Sequence, residues 1–325
     1  MATSIAVLGA GSWGTAVAIH LARSGNTVTL WARDPAHYAA MQSARCNARY
    51  LPDVPFPETL RLSCNIEESL QMDEICIAVP SHAFEAVLAK IPKGRPGLMW
   101  LTKGLQLGTN DPFSVLLSKR WGSQFPMAML SGPSFAREVG LGLPTAVVLA
   151  SNAPDYQQHW HRYLHHGNFR VYLSADLLGV EMAGAVKNVI AIACGVSDGM
   201  GYGANARAAL ITRGLAEMIR LGCAVGAEEA TFSGLAGVGD LVLTCTDNQS
   251  RNRRFGMLIG QGLIVKDALQ QIGQVVEGCG NVQQVCALAL QHQIEMPICK
   301  AVDALVQGRW SCEDALKQLM QRAIN

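Results

Sequence analysis

Six residues, Gly9-Ala10-Gly11-Ser12-Trp13-Gly14, directly follow the apolar run Ile5-Ala6-Val7-Leu8 and directly precede a helix-length stretch over 15–23. Three glycines at this spacing, between a strand and a helix, leave few folds open. The first permits the tight turn, the second lets backbone approach a pyrophosphate, and the third lets the helix pack closely. The helix N terminus then presents unpaired N–H groups to the phosphates. Gly9, Gly11 and Gly14 alone would be weak evidence, and the strand–turn–helix setting gives them weight.

The rest of the chain extends this pattern. Short apolar runs at 5–8, 27–31, 74–79, 98–102, 127–130 and 146–150 alternate with helix-length segments and end in Gly, Pro or polar turns. Such runs read as buried strands of a doubly wound parallel sheet. Beyond residue 176 the strand signals fade. Helical periodicity runs over 177–196, 204–225, 251–261, 265–272, 282–291 and 312–323. The expected fold is therefore an α/β dinucleotide-binding domain over 1–175 followed by an all-α domain over 176–325. A chain of 325 residues, half of them hydrophobic, has the material for two such cores.

Lys and Arg number 26 against 25 Asp and Glu, for a formal charge of +1. No global field gathers nucleic acid or an anionic membrane, so anions must be held by local clusters. The ten cysteines form no CxxC pair and read as reduced core residues of a cytoplasmic protein. The N terminus lacks the basic region of a signal peptide, and no apolar run reaches the length of a membrane span. His159, His161, His165 and His166 lie in a polar segment without carboxylates or cysteines to complete a site, so no metal is expected. Arg213, Glu217 and Arg220, at helical spacing, read as a surface charge network or a dimer contact.

At the end of the second apolar run stand Arg33 and Asp34. An acid there would bond the ribose 2′-hydroxyl, whereas an arginine would bind a 2′-phosphate. The order of the two favours NADP(H) and leaves NAD(H) open. Further polar groups fall at the carboxyl ends of expected strands, in Pro80-Ser81, Lys103-Gly104 and Ser131-Gly132-Pro133-Ser134.

Lys187 is the one basic residue in the apolar run 177–193. Desolvating an ammonium is costly, so such a lysine usually has a partner or does chemistry. If burial lowers its pKa, it can give a proton to a carbonyl oxygen and recover it in reverse. Asp240 and Thr244 are available to orient it. Ser250-Arg251-Asn252 opens a helix, combining a helix N terminus, a guanidinium and an amide, which suits a phosphate dianion. Each feature has a plainer alternative: snorkelling for Lys187, an ordinary surface position for Lys103, a pair with Asp34 for Arg33, and a solvated basic face for 250–254.

Taken together, Gly9 to Ala16, Thr102-Lys103-Gly104, Gly132 to Ala136, Ala185-Val186-Lys187-Asn188, Gly239-Asp240-Leu241 and Ser250 to Arg253 resemble bacterial NAD(P)-dependent sn-glycerol-3-phosphate dehydrogenases, in order from Ile5 to about Gly278. The resemblance implies a Rossmann domain followed by a helical domain, in a cytoplasmic homodimer. It also implies reversible reduction of dihydroxyacetone phosphate to sn-glycerol 3-phosphate, which feeds glycerophospholipid synthesis. By the same resemblance Ser12, Trp13, Arg33, Lys103, Ala136, Arg251, Val275 and Glu277 contact the cofactor, and Lys187 is the proton acceptor. Lys103, Gly132, Ser134, Lys187, Asp240, Ser250, Arg251 and Asn252 form the substrate site, with Asn188 and Thr244 supporting it. Val282 stands where relatives often carry threonine, and 279–325 is the stretch of weakest resemblance. The rival readings are a similarly built reductase of another hydroxy acid or ketone, and an NADPH-sensing regulator without turnover.

Overall fold

A computed structural model describes residues 3–320. They fall into two compact units, one comprising the chain up to Thr102 with Leu117–Leu177, the other Lys103–Leu116 with the chain from Leu178 onward. The stretch Lys103–Leu116, placed by sequence in the α/β half, is thus counted with the helical unit.

The strands, all in the first unit, are β1 (Ser4–Leu8), β2 (Thr27–Trp31), β3 (Cys46–Asn47), β4 (Leu51–Pro55), β5 (Leu60–Ser63), β6 (Glu74–Ile77), β7 (Leu98–Trp100), β8 (Met127–Ser131), β9 (Thr145–Ser151) and β10 (Phe169–Ser174). Eight form one sheet in the order β10-β9-β8-β7-β6-β1-β2-β5, and β3 and β4 pair separately as a hairpin. Ile5 to Leu8 are wholly buried, as expected of a central strand covered on both faces. The strand order reverses between β1 and β6, and at such a switch point the carboxyl ends of the strands leave a crevice for a ligand.

One part of the sheet departs from the parallel pattern. β9 runs antiparallel to β8 and carries β10 with it in parallel. Between β8 and β9 the only helix is the six-residue Ala136–Leu141. It rises about 9 Å, too little to return the chain along a strand to the opposite edge as a parallel crossover requires. β5, β10 and the small hairpin are not continuous apolar runs: β10 alternates buried and exposed residues over its first four positions, β4 and β5 each bury only two residues, and β3 is only two residues long.

The helical unit is built around Leu177–Gly199. Its window of highest apolarity is 94% buried inside the fold, although by length and composition the helix could cross a membrane. Met182, Val186, Val189 and Ile190 are fully buried against Met218, Leu221, Phe232, Leu241 and Phe255. The closest packing is with the helix Arg251–Gly260 and rests on glycines four apart on both partners. A Cβ on Gly195 would lie 2.1 Å from the Arg253 carbonyl oxygen, one on Gly256 2.1 Å from that of Ile192, and ones on Gly199 and Gly260 2.2 and 2.3 Å from those of Met257 and Val196. Backbone therefore meets backbone along a full turn, which fixes where the first turn of Arg251–Gly260 stands relative to Lys187.

Because the atoms in the way are main chain, a methyl there cannot be absorbed by a rotamer change. Gly256→Ala is expected to destabilise the protein by about 1–3 kcal/mol through overpacking, despite alanine's better helix propensity. Denaturant unfolding measures this, and an unchanged or raised midpoint would show that the crossing has room for a methyl group.

Candidate functional site

Lys187 sits midway along its helix and is 6% exposed. Its ammonium donates to Asp240 Oδ1 at 2.6 Å and to Thr244 Oγ1 at 2.9 Å, leaving one of its three N–H groups without an acceptor among the described residues. Asp240 opens the helix Asp240–Thr246 immediately after a π-helical turn, Leu235–Gly239. Its second oxygen, Oδ2, accepts from Lys103 Nζ at 2.6 Å. Thr244, one turn on, donates its hydroxyl to the Asp240 carbonyl, so the lone pairs facing Lys187 are fixed. One carboxylate therefore holds two ammoniums in a site from which water is nearly excluded.

The electrostatics follow from that count. Burial pushes the Lys187 ammonium down to about 8; Asp240 opposes this and the Lys103 charge assists it. Burial would raise the Asp240 carboxyl, but the two lysines overcome that and hold it below its ordinary value. The cluster carries a net positive charge, and it contains a base whose proton is mobile near neutral pH.

Lys103 begins the segment Lys103–Leu116, which is pinned at both ends. At the first end Gly104, at φ +136°, packs where a Cβ would strike the Asn281 amide at 2.6 Å, and that amide donates to the Lys103 carbonyl at 3.3 Å. At the far end Glu181, on the Lys187 helix, accepts from the Ser114 N–H at 3.1 Å and from the Ser114 hydroxyl. Glu181 thus caps the helix Phe113–Trp121. The run 177–193 holds this acid as well as its lysine, and a buried carboxylate there was as strong a signal as Lys187.

The basic run after residue 250 divides by role. Ser250 is the N-cap, accepting from the Arg253 N–H at 3.2 Å. Arg253 is buried and pairs with Asp198 at 2.6 Å, also meeting Asn248, so it is structural. Arg251 is half-buried and touches Gln274 at 3.3 Å. The Asn252 amide bridges Asn188 Oδ1 at 3.0 Å and the Gly278 N–H at 2.8 Å. Since Asn188 directly follows Lys187, this bridge ties the first turn of that helix to the lysine. Val275, exposed, and Glu277, the first residue of the helix Glu277–Gln291, flank the same loop.

In the first unit the glycine turn has the geometry a pyrophosphate needs. Gly9, at φ +132°, lies against the end of β6, where a Cβ would meet the Ala78 carbonyl at 2.6 Å. A Cβ on Gly14 would strike Gly9, whereas one on Gly11 would meet nothing within 4 Å. The helix Ser12–Arg23 has no side-chain cap at Gly11, so its first-turn amides are not claimed by a side-chain oxygen. A dinucleotide phosphate fits these observations. Trp13 Nε1 is buried without a partner among the described residues. Arg33 is exposed two residues beyond β2, and Asp34 does not pair with it. Asp34 instead caps the helix Pro35–Ala44 through the Ala36 N–H and faces Arg49. Gly132, at φ +128°, and Ser134, whose hydroxyl donates to the Gly132 carbonyl, follow β8, with Ala136 opening the next helix.

The family model described as NAD-dependent glycerol-3-phosphate dehydrogenase N-terminus matches residues 4–157, and the corresponding C-terminus model matches 176–317. This chain belongs to the NAD-dependent glycerol-3-phosphate dehydrogenase family. Among curated relatives, a glycerol-3-phosphate dehydrogenase [NAD(P)+] of Legionella pneumophila is 57% identical over 98% of this chain and 97% of its own. One of Sodalis glossinidius is 52% identical over 98% and 96%. Among solved structures, glycerol-3-phosphate dehydrogenase of Coxiella burnetii is 48% identical, with a TM-score of 0.95 over 99% of both chains. The likeness to the family therefore continues well past Gly278. Val282, where a threonine was expected from relatives, is wholly buried in the helical core and offers a substrate nothing polar.

Glu217 corrects another expectation. It is 1% exposed and caps the helix Pro297–Val306 by accepting the Ile298 and Cys299 N–H groups at 2.7 and 3.2 Å. Helical spacing with two arginines suggested a surface acid, because spacing alone does not reveal a second helix end pointing at the carboxylate.

Burial pushes the Glu181 carboxyl from 4.5 up to about 7, with the bonds from Ser114 and Phe113 opposing. Across that window the folded protein binds more protons than the unfolded chain, so this group's contribution to stability falls as pH rises. Glu181→Gln keeps an acceptor for the Ser114 N–H and removes the titration. The melting temperature of the variant relative to the parent is expected to rise between pH 5 and pH 7.5. A difference independent of pH would contradict the assignment.

Proposed function

We propose that this chain catalyses the reversible NAD(P)H-dependent reduction of dihydroxyacetone phosphate to sn-glycerol 3-phosphate, in the cytoplasm and as a homodimer, supplying glycerophospholipid synthesis. The reading rests above all on one observation: a buried lysine, its pKa lowered to about 8, held by a shared carboxylate and a threonine hydroxyl with one N–H to spare.

Gly9, Gly11, Ser12, Trp13 and Gly14 would hold the cofactor's pyrophosphate end, and Arg33 would favour a 2′-phosphate. Lys103, Ala136, Arg251, Val275 and Glu277 would complete the cofactor contacts. When bound, the nicotinamide supplies hydride to the carbonyl carbon. Lys187 points its remaining N–H at the substrate oxygen and gives up that proton as the oxygen becomes a hydroxyl; in the oxidative direction the neutral amine takes it back. The second positive charge, on Lys103, stabilises the oxygen as negative charge builds on it. Asp240 keeps both ammoniums in place. The phosphate falls to Arg251 at the capped helix start beyond Ser250, with Asn252 holding that turn against Asn188. By the family resemblance, Gly132 and Ser134 would also contact the substrate.

Two comparisons test this. Dihydroxyacetone phosphate should be reduced with a kcat/KM at least a hundredfold above that of unphosphorylated dihydroxyacetone, since a charged bidentate contact is lost in the latter. Lys187→Met should lower kcat by about 10²–10⁴ while NADPH binding, followed by fluorescence, is retained. Comparable turnover of both ketones would favour a reductase with another substrate. Cofactor binding without turnover in the parent would favour the sensing role.

A further inference from the structure

Asn47, in β3, is wholly buried and uses every hydrogen-bonding valence of its amide. Nδ2 donates to the Ala10 carbonyl at 2.9 Å and to Thr15 Oγ1 at 2.8 Å. Oδ1 accepts from His37 Nε2 at 3.0 Å and from the Tyr50 N–H at 3.2 Å. The orientation is unambiguous: a backbone N–H can only donate and a backbone carbonyl can only accept, so Tyr50 fixes the oxygen and Ala10 fixes the nitrogen. It follows that His37 carries its proton on Nε2.

Ala10 is the residue between the first two glycines of the cofactor turn. In a planar trans peptide the carbonyl of one residue and the N–H of the next point in opposite directions. With the Ala10 carbonyl held toward Asn47, the Gly11 N–H is turned away from it. The bond to Thr15 fixes the first helical turn in the same frame. His37 belongs to Pro35–Ala44, the helix that starts directly after Arg33 and Asp34. A single buried amide therefore joins the turn that would face the pyrophosphate to the element that would face the adenosine ribose.

We propose that Asn47 is a positioning residue for the dinucleotide: it orients the Ala10–Gly11 peptide and couples the glycine turn to the helix after Arg33, without itself touching the ligand. The proposal rests on the reading of the glycine turn as the cofactor site. Nothing in a sequence search for glycine motifs would find it, since Asn47 lies beyond the motif by more than thirty residues and is joined to it only by the fold.

Asn47→Asp tests this most sharply. It keeps the size of the side chain and the acceptor for His37 and Tyr50 but loses the donation to Ala10 and Thr15. Asn47→Ala removes all four bonds and serves as the reading if the aspartate variant does not fold. Below the melting temperature of each variant, the Kd for NADPH and for NADH is expected to rise about tenfold or more, because a buried carbonyl loses its donor. At saturating cofactor, kcat and the KM for dihydroxyacetone phosphate should stay within twofold of the parent. A folded variant with parental cofactor affinity overturns the proposal, as does a proportionate loss in kcat and both affinities, which would mark general loosening. A parent that binds neither nicotinamide cofactor overturns the underlying reading of the turn instead.

Discussion

Two ammoniums share one buried carboxylate, and the helical unit is arranged so that they can. Charges so far from water are tolerated only when paired and hydrogen-bonded, and Asp240 meets that requirement for Lys103 and Lys187 together. Neutralisation is incomplete by design of the count: two positive charges face one negative. What remains is a region that welcomes an anion and a lysine whose proton is held loosely because burial disfavours its charge. Removing Asp240 would leave the buried Lys187 and the partly buried Lys103 as like charges without a counter-ion, so the carboxylate supports the structure of the site.

Everything around the cluster fixes its parts in place. The paired glycines of Leu177–Gly199 and Arg251–Gly260 bring main chain against main chain. This sets the capped helix start beside the lysine helix, and the Asn188–Asn252–Gly278 chain of bonds locks the register. Glu181 and Asn281 hold the two ends of the segment that delivers Lys103. In the α/β unit the same economy of polar groups appears once more, where Asn47 fixes the glycine turn. These buried polar side chains are joints between elements, and a fully bonded joint is more exact than apolar packing alone.

Much of this was legible in the sequence because it is local. Strand–glycine turn–helix, the change from strand-like to helical periodicity near residue 175, a lysine amid apolar residues, and a serine-capped arginine are all patterns within one element. What was hidden was long-range. Nothing in the basic run after Ser250 told Arg253 apart from its neighbours until Asp198 was found to occupy it. Glu217 looked like a surface acid until the start of Pro297–Val306 was found against it. The antiparallel turn of β9 depends on how far a six-residue helix can carry the chain, and Asn47 depends on a hairpin too short to leave a period.

On the proposed function, Lys187 exchanges the reaction's proton at a pKa set by burial and by Asp240. That pKa is read most directly from kcat/KM against pH, which reports the free enzyme's groups, from 6 to 10, for dihydroxyacetone phosphate reduction and for glycerol 3-phosphate oxidation, in the parent and in Asp240→Asn. In the parent, reduction should fall and oxidation should rise through a common midpoint near 8, since one direction needs the ammonium and the other the amine. Without the Asp240 charge that midpoint should move down. Profiles flat across this range, or a midpoint that Asp240→Asn leaves in place, would contradict the account.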